Sequence, residues 1–196
     1  MTIPLRINSL NRGRSGPIQF EGRPLHSAIG KRAVAGKITV GPLGLAGDEQ
    51  ADPTVHGGLA KAVYAYPVAH FAFWATVRAQ AGLAPWGEPL QPGSLGEHIS
   101  YEGPTEGGLW IGDRLRFAEC VLVVSEPRRP CFKLGLAIGS AQAVKLMTQS
   151  GYCGAYLAVA VSGQLSAGDK GVLEPGPREV NLRELFHAQM RRSARA

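Results

Sequence analysis

Apolar residues along this chain come in short runs punctuated by glycine and proline, and few segments keep a helical period. Lys37-Ile38-Thr39-Val40 reads as a strand closed by the turn signal Gly41-Pro42. Ala62 to Ala65 reads as a second strand. Val121-Leu122-Val123-Val124 is a continuous apolar run, the pattern of a buried strand, and Ala155 to Val161 is another, with a turn starting at Gly163. Leu109-Trp110-Ile111, the Gly112-Asp113 turn and Arg114 to Phe117 predict a hairpin. Pro67 suits the first turn of a helix, Phe71, Trp74 and Val77 carry helical spacing, and Gly82 is placed to end it. Ser140 predicts the cap of a helix through Thr148 that Gly151 closes. Asn181, with Glu184 three residues on, predicts the cap of a last helix. The apolar start of residues 1–24 reads as an edge strand. Residues 44–59 and 84–108 read as loop, and long loops inside compact domains are usually functional. Many short strands and a few helices predict a mainly β, barrel-like fold with peripheral helices.

Composition narrows this picture. The 26 glycines and 14 prolines among 196 residues favour turns and short strands over a helical bundle. A chain of this length buries one sizeable core without staples. The net charge of +6 invites a nucleic-acid reading, but the segment from Arg178 onward holds five arginines against two glutamates, and the rest is spread thinly. Aromatics are only 7% of the chain, with Phe71, Phe73 and Trp74 on the predicted helix, so no basic groove interleaved with aromatics is expected and no stable nucleic-acid binding. The three cysteines, Cys120, Cys131 and Cys153, form no C-x-x-C pair, as expected for a reducing compartment. No apolar run approaches a membrane span and the first ten residues carry no signal-peptide core, so a cytoplasmic, membrane-free location is expected.

The chemistry concentrates in Ser125-Glu126-Pro127-Arg128-Arg129-Pro130-Cys131, at the end of the apolar strand. A thiolate is a good ligand for a soft metal and a good nucleophile, and guanidinium forks suit phosphate. One loop thus offers a sulfur and an anion clamp, a pairing that suits a cofactor carrying both a metal and a phosphate. Cys131 alone reads equally as a buried inert thiol. Consecutive residues of an extended segment point to opposite sides, so only one of Arg128 and Arg129 is expected to face a ligand, and the pattern does not say which. Cys120 and Cys153 read as core.

Three further blocks accompany that loop: Ser27-Ala28-Ile29-Gly30-Lys31, Gly47 to Tyr64 with Asp48, Asp52 and His56-Gly57-Gly58, and Pro92-Gly93-Ser94-Leu95-Gly96-Glu97-His98. In this order they resemble the MOSC domain, named for the C-terminal part of molybdenum-cofactor sulfurase, and most of all its YiiM-like branch, the 6-N-hydroxylaminopurine resistance proteins. The resemblance runs from Ser27 to Asp169 and implies a β-barrel-like domain, here expected over residues 1–176, with residues 177–196 a short helical tail. YiiM-like relatives usually carry a three-helix module after the barrel; the tail has room for one helix. The family also commonly reads Gly-Glu-Asn where this chain has Gly96-Glu97-His98.

The resemblance implies a cofactor, the molybdenum cofactor, and roles for individual residues. Cys131 would be the protein ligand to molybdenum. Lys31 with Arg128 or Arg129 would hold the pterin phosphate, Lys61 would pair with cofactor anions, and His98 would stand at the family's asparagine position. His56, oriented by Asp52, would handle protons. Tyr64 and Tyr66 read as core or pocket wall. The expected activity is reduction of N-hydroxylated compounds, hydroxylaminopurine-like bases among them. Without a G-x-G-x-x-G fingerprint, electrons are expected from a separate flavoprotein. The alternative is a non-enzymatic carrier of the cofactor, or of a persulfide on Cys131.

Overall fold

The computed structural model describes residues 2–51 and 57–193. In chain order its strands are β1 (Ile3–Arg12), β2 (Gly16–Phe20), β3 (Arg23–Ser27), β4 (Arg32–Ala33), β5 (Ile38–Gly41), β6 (Gly44–Leu45), β7 (Val63–Pro67), β8 (Ile99–Glu102), β9 (Arg114–Arg116), β10 (Val121–Pro127), β11 (Ala155–Val161), β12 (Gly163–Leu165) and β13 (Lys170–Glu174). The α-helices are α1 (Phe71–Gln80), α2 (Phe132–Ile138), α3 (Ala143–Ser150) and α4 (Leu182–Ser193). Seven strands close on themselves in the order β1-β8-β7-β11-β10-β9-β13, and β13 pairs back onto β1. All of these pairings are antiparallel except β7 with β8. Closure leaves no edge in that sheet, which is why an apolar-rich chain of short strands can settle here. The fold is mainly β with peripheral helices, as the pattern predicts.

The barrel interior is filled by alternate residues of each strand. Leu5 and Ile7 of β1, Leu115 of β9, Leu122 and Val124 of β10, Leu157 of β11 and Leu173 of β13 are buried together. A second cluster lies outside the wall, where Tyr64, Tyr66, Trp74, Leu134, Ile138, Met147 and Phe186 join helices α1 to α4 to the outer faces of β7 and β11. Helix α4 serves both, with Leu182 in the barrel core and Phe186 in the outer cluster. Asn181 caps it as predicted, accepting from the N–H groups of Arg183 and Glu184 at 3.0 and 3.3 Å.

Four sequence expectations are corrected. The chain's start is not an edge strand: β1 pairs with β13 on one side and β8 on the other. The expected loop over 84–108 contains β8, a barrel strand. The hairpin around Gly112-Asp113 does not form. Asp113 turns the chain by accepting from Trp110 and Gly176 N–H, and β9 pairs with β10 and β13 instead. Pro67 ends β7 rather than opening a helix; a 3-10 turn at Val68–His70 intervenes before α1.

The loop before β8 folds around Glu97, which is fully buried and accepts from the N–H groups of Gly93 and Leu95 and from the Ser100 hydroxyl. Gly93 has φ +87°, and a Cβ there would lie 2.4 Å from the carbonyl oxygen of Lys31. Gly93→Ala therefore meets backbone on top of an unfavourable φ and should destabilise the fold by about 2 kcal/mol or more. Urea unfolding checks this, and an unchanged midpoint would refute the close approach.

Candidate functional site

One cleft of about 530 Å³, counting its open mouth, gathers residues from all four sequence blocks. Ser27, Ala28, Ile29 and Lys31 form one wall, and Gly96 closes it from below. Tyr64 of β7 and Tyr156 of β11 form the facing wall. Arg128 and Cys131, from the segment that leaves β10, line it together with Lys31 and Lys133. Glu49, Gln50 and Ala51 of the Gly47–Tyr64 block also line the cleft, while Asp52 and His56 of that block lie outside the described residues. Barrel closure makes this possible. Residues far apart in sequence reach one end of the barrel because β7, β10 and β11 are neighbours.

Arg128 and Arg129 part as the alternation of an extended segment predicts. Arg128 is the inward one, only 4% exposed, while Arg129 is exposed. The Arg128 guanidinium lies 5.0 Å from the Tyr64 ring centroid and bonds the Tyr156 hydroxyl. Its Nη1 has no hydrogen-bond partner among the described residues. A buried cation with an unanswered donor, facing a cleft, fits an anion that brings acceptors. Cys131 sits partly exposed at the residue preceding α2, on the wall this cleft shares with a second depression. The other two thiols are buried, and burial pushes Cys120 up to about 11 and Cys153 well above its usual value. Such thiols are poor ligands and nucleophiles, so Cys131 is the one sulfur suited to either task.

Lys31 is held from behind. It pairs with Asp48, which also accepts from the Gly13 N–H at 2.8 Å. The other oxygen of Asp48 meets Nε2 of His98 at 2.8 Å. Nδ1 of His98 accepts from the Tyr64 N–H at 2.8 Å. That bond fixes the tautomer: Nδ1 carries no proton, so Nε2–H donates to Asp48 and the ring is neutral. Burial lowers the His98 pKa further, despite the Asp48 bond. Burial opposes Asp48 ionisation, but the His98 bond and the Lys31 charge outweigh it and hold Asp48 below the ordinary carboxylate value. Burial lowers the pKa of Lys31, against the attraction of Asp48.

His98 thus stands behind Lys31, not on the cleft lining, and does the two jobs of an amide: one acceptor toward Tyr64, one donor toward Asp48. The substitution at the family's asparagine position preserves the hydrogen-bond logic. Lys61 and Arg129 likewise lie off the main cleft, both on the second depression. Sequence reasoning missed Tyr156, which reads as one more core residue of an apolar strand, and the supporting roles of Glu97 and Asp48. A buried carboxylate inside a Gly-rich block was the available signal for Glu97. Among the described residues no group of three or more His, Cys, Asp or Glu gathers as a metal cage, so a metal here would rest on the lone sulfur and its own cofactor. Tyr64 is a pocket wall; Tyr66 belongs to the outer core, where it accepts from the Trp74 indole N–H at 2.6 Å.

The neutral His98 sets a pH dependence. Its folded pKa lies below the unfolded value near 6.5, so the unfolded chain binds the extra proton first. Its contribution to stability is complete above about pH 6.5 and is lost as pH falls through the folded value. His98→Asn should keep the fold and flatten the stability loss between about pH 7 and 5, while His98→Ala, leaving Asp48 and Tyr64 unanswered, should cost about 1–3 kcal/mol at pH 7. Denaturant titrations at several pH values check both, and identical pH slopes for wild type and His98→Asn would overturn the tautomer assignment.

Comparison with known proteins agrees with this geometry. The family model of the MOSC domain matches residues 52–171. YflK of Bacillus subtilis is 35% identical over 187 residues, 91% of this chain and 81% of that protein. Protein YiiM of Escherichia coli is 37% identical over 158 residues, 78% of this chain and 66% of that protein. A protein of Gibberella moniliformis named reductase is 32% identical over 149 residues, 76% of this chain but 26% of that protein. The crystal structure of YiiM from Geobacillus stearothermophilus superposes with a TM-score of 0.72 at 28% identity, covering 94% of this chain and 83% of that one. With the closed barrel, the cleft and these matches in agreement, the chain belongs to the MOSC domain family, in its YiiM-like branch.

Proposed function

We propose that the cleft binds the molybdenum cofactor and that the protein reduces N-hydroxylated compounds, purine-like bases among them. The observation that carries the cofactor reading is Arg128: a buried guanidinium with an unanswered Nη1, in one cleft with Lys31 and Cys131. The donor set fits. Arg128 and Lys31 would take the pterin phosphate, and the Cys131 sulfur would hold molybdenum. The bound cofactor would supply the two-electron reduction, N–OH plus two electrons and two protons giving N–H and water.

The chain's own residues then bind and orient. Tyr64 and Tyr156 give the cleft flat walls and hold Arg128 in place. The His98–Asp48 pair holds Lys31 by its ion pair on the cleft wall, where it would meet the phosphate. His56 is assigned the proton supply and Asp52 its orientation, on chemical grounds. A separate flavoprotein would deliver the electrons. No helix among the described residues is long and apolar enough to cross a membrane.

The test is metal and pterin content of protein purified from a host that makes the cofactor. Wild type should carry close to one molybdenum per chain by elemental mass spectrometry, with pterin fluorescence to match. Cys131→Ser should lose the metal. Arg128→Gln should weaken pterin retention by about tenfold to a hundredfold, the cost of one buried charge-assisted bond. Loaded wild type should reduce hydroxylaminopurine with an artificial electron donor. Full reductase activity in Cys131→Ala would defeat the mechanism, and a stable added sulfur on Cys131 without metal would favour the carrier.

A further inference from the structure

Cys131 and Tyr156 stand between two recesses. The second is lined on its far side by Lys61, Glu126, Pro127, Arg129 and Pro130. Its chemistry differs from the first. Arg129 is exposed and forms no ion pair among the described residues. Glu126 is the one carboxylate among the described residues of this lining, and it pairs with Lys61 at 3.9 Å. Lys61 also lies 6.0 Å from the Tyr156 ring centroid. Among the described residues of this lining Arg129 is the cation with no ion pair, and it carries a planar fork suited to phosphate. Pro127, Pro130 and Tyr156 add flat apolar surface between that fork and the sulfur.

The Arg128-Arg129 pair therefore serves two recesses with one sulfur between them. In the proposed function the inner arginine takes the cofactor's phosphate; the outer one lies on the second recess, which Cys131 also lines. We infer that the second recess is a phosphate subsite for the substrate: Arg129 binds the phosphate monoester of an N-hydroxylated nucleotide whose base lies against Tyr156 and the prolines. This rests on the reductase reading for the word substrate, but the phosphate site stands on its own residues. It makes the preferred substrate class the nucleoside 5′-monophosphate over the free base.

The experiment is calorimetric titration of the cofactor-loaded full chain with adenosine 5′-monophosphate, adenosine and inorganic phosphate at low salt. The monophosphate should bind about tenfold more tightly than adenosine, the worth of one accessible charge-assisted contact. Arg129→Gln should erase that preference, and Arg129→Lys should restore part of it, because a point charge replaces the fork. Inorganic phosphate should bind weakly and lose affinity in the same variant. In turnover, the ratio of kcat/KM for hydroxylaminopurine ribonucleoside 5′-monophosphate to that for the free base should fall about tenfold in Arg129→Gln, mainly through KM. Equal binding of adenosine and its monophosphate, or a monophosphate preference untouched by Arg129→Gln, would overturn the subsite. Failure to reduce either compound, with the preference and its loss in the variant intact, would defeat the reductase reading and support the subsite.

Discussion

Much of this molecule hangs on the carboxylate of Asp48. Its two oxygens receive Lys31, the Gly13 N–H and His98, and so tie the end of β1, the approach to β4 and the residue before β8 to one point. Burying three ionisable groups is expensive unless each is answered, and here each is. His98 is answered as a neutral ring by the Tyr64 N–H, which draws β7 into the same network. The barrel mouth is thereby rigid where Lys31 enters the cleft. The neighbouring Glu97, Ser100 and Asn11 continue the network inward, with Asn11 donating to Ser100 at 3.1 Å and Ser100 to Glu97 at 2.9 Å. This polar seam between strands fixes the Lys31 cation in place, as the proposed anion site requires.

The opposite wall is built on a different rule. Strand β10 ends at Pro127, and the extended chain beyond it sends Arg128 inward and Arg129 outward. Pro127 and Pro130 bracket the pair with fixed φ, so the alternation is not free to slip. Cys131 then precedes α2, whose Leu134 and Ile138 anchor the segment in the outer core. The loop is therefore held at both ends: by the barrel ladder before it and by helix packing after it. Two adjacent arginines acquire different environments from one backbone geometry, one enclosed by Tyr64 and Tyr156, the other open to solvent.

Much of the fold was legible in the sequence, and the parts that were not share a cause. Strands β10 and β11 carry long apolar runs and read directly. Strand β8 was hidden because Ile99-Ser100-Tyr101 follows a Gly-rich stretch and its polar Ser100 is buried by a hydrogen bond to Glu97, not by apolar contact. Burial by satisfied polarity leaves no hydrophobic signature. The Asp113 turn misled for a related reason: its carboxylate bonds Gly176, 63 residues away, so a local hairpin reading cannot see its partner. At the site, residue types singled out Cys131, Lys31 and the arginines as candidates, and Cys131, Lys31 and Arg128 line one cleft, but the different placement of Arg128 and Arg129, the wall position of Tyr156 and the indirect place of His98 depend on which strands close the barrel.

The cleft also bears on stability. Arg128 is enclosed by two tyrosine rings, which offer it a π-face and one hydroxyl but no formal negative charge. On the far side Lys31 has already been matched with Asp48. The pocket thus presents a buried cation whose Nη1 has no hydrogen-bond partner among the described residues. A ligand that brings negative charge to Nη1 completes this set and binds only the folded chain. Its binding energy then adds to folding stability in proportion to RT ln(1 + [L]/Kd), about 2.7 kcal/mol at a hundredfold excess over Kd. If the proposed cofactor is that ligand, its possession is coupled in this way to persistence of the fold.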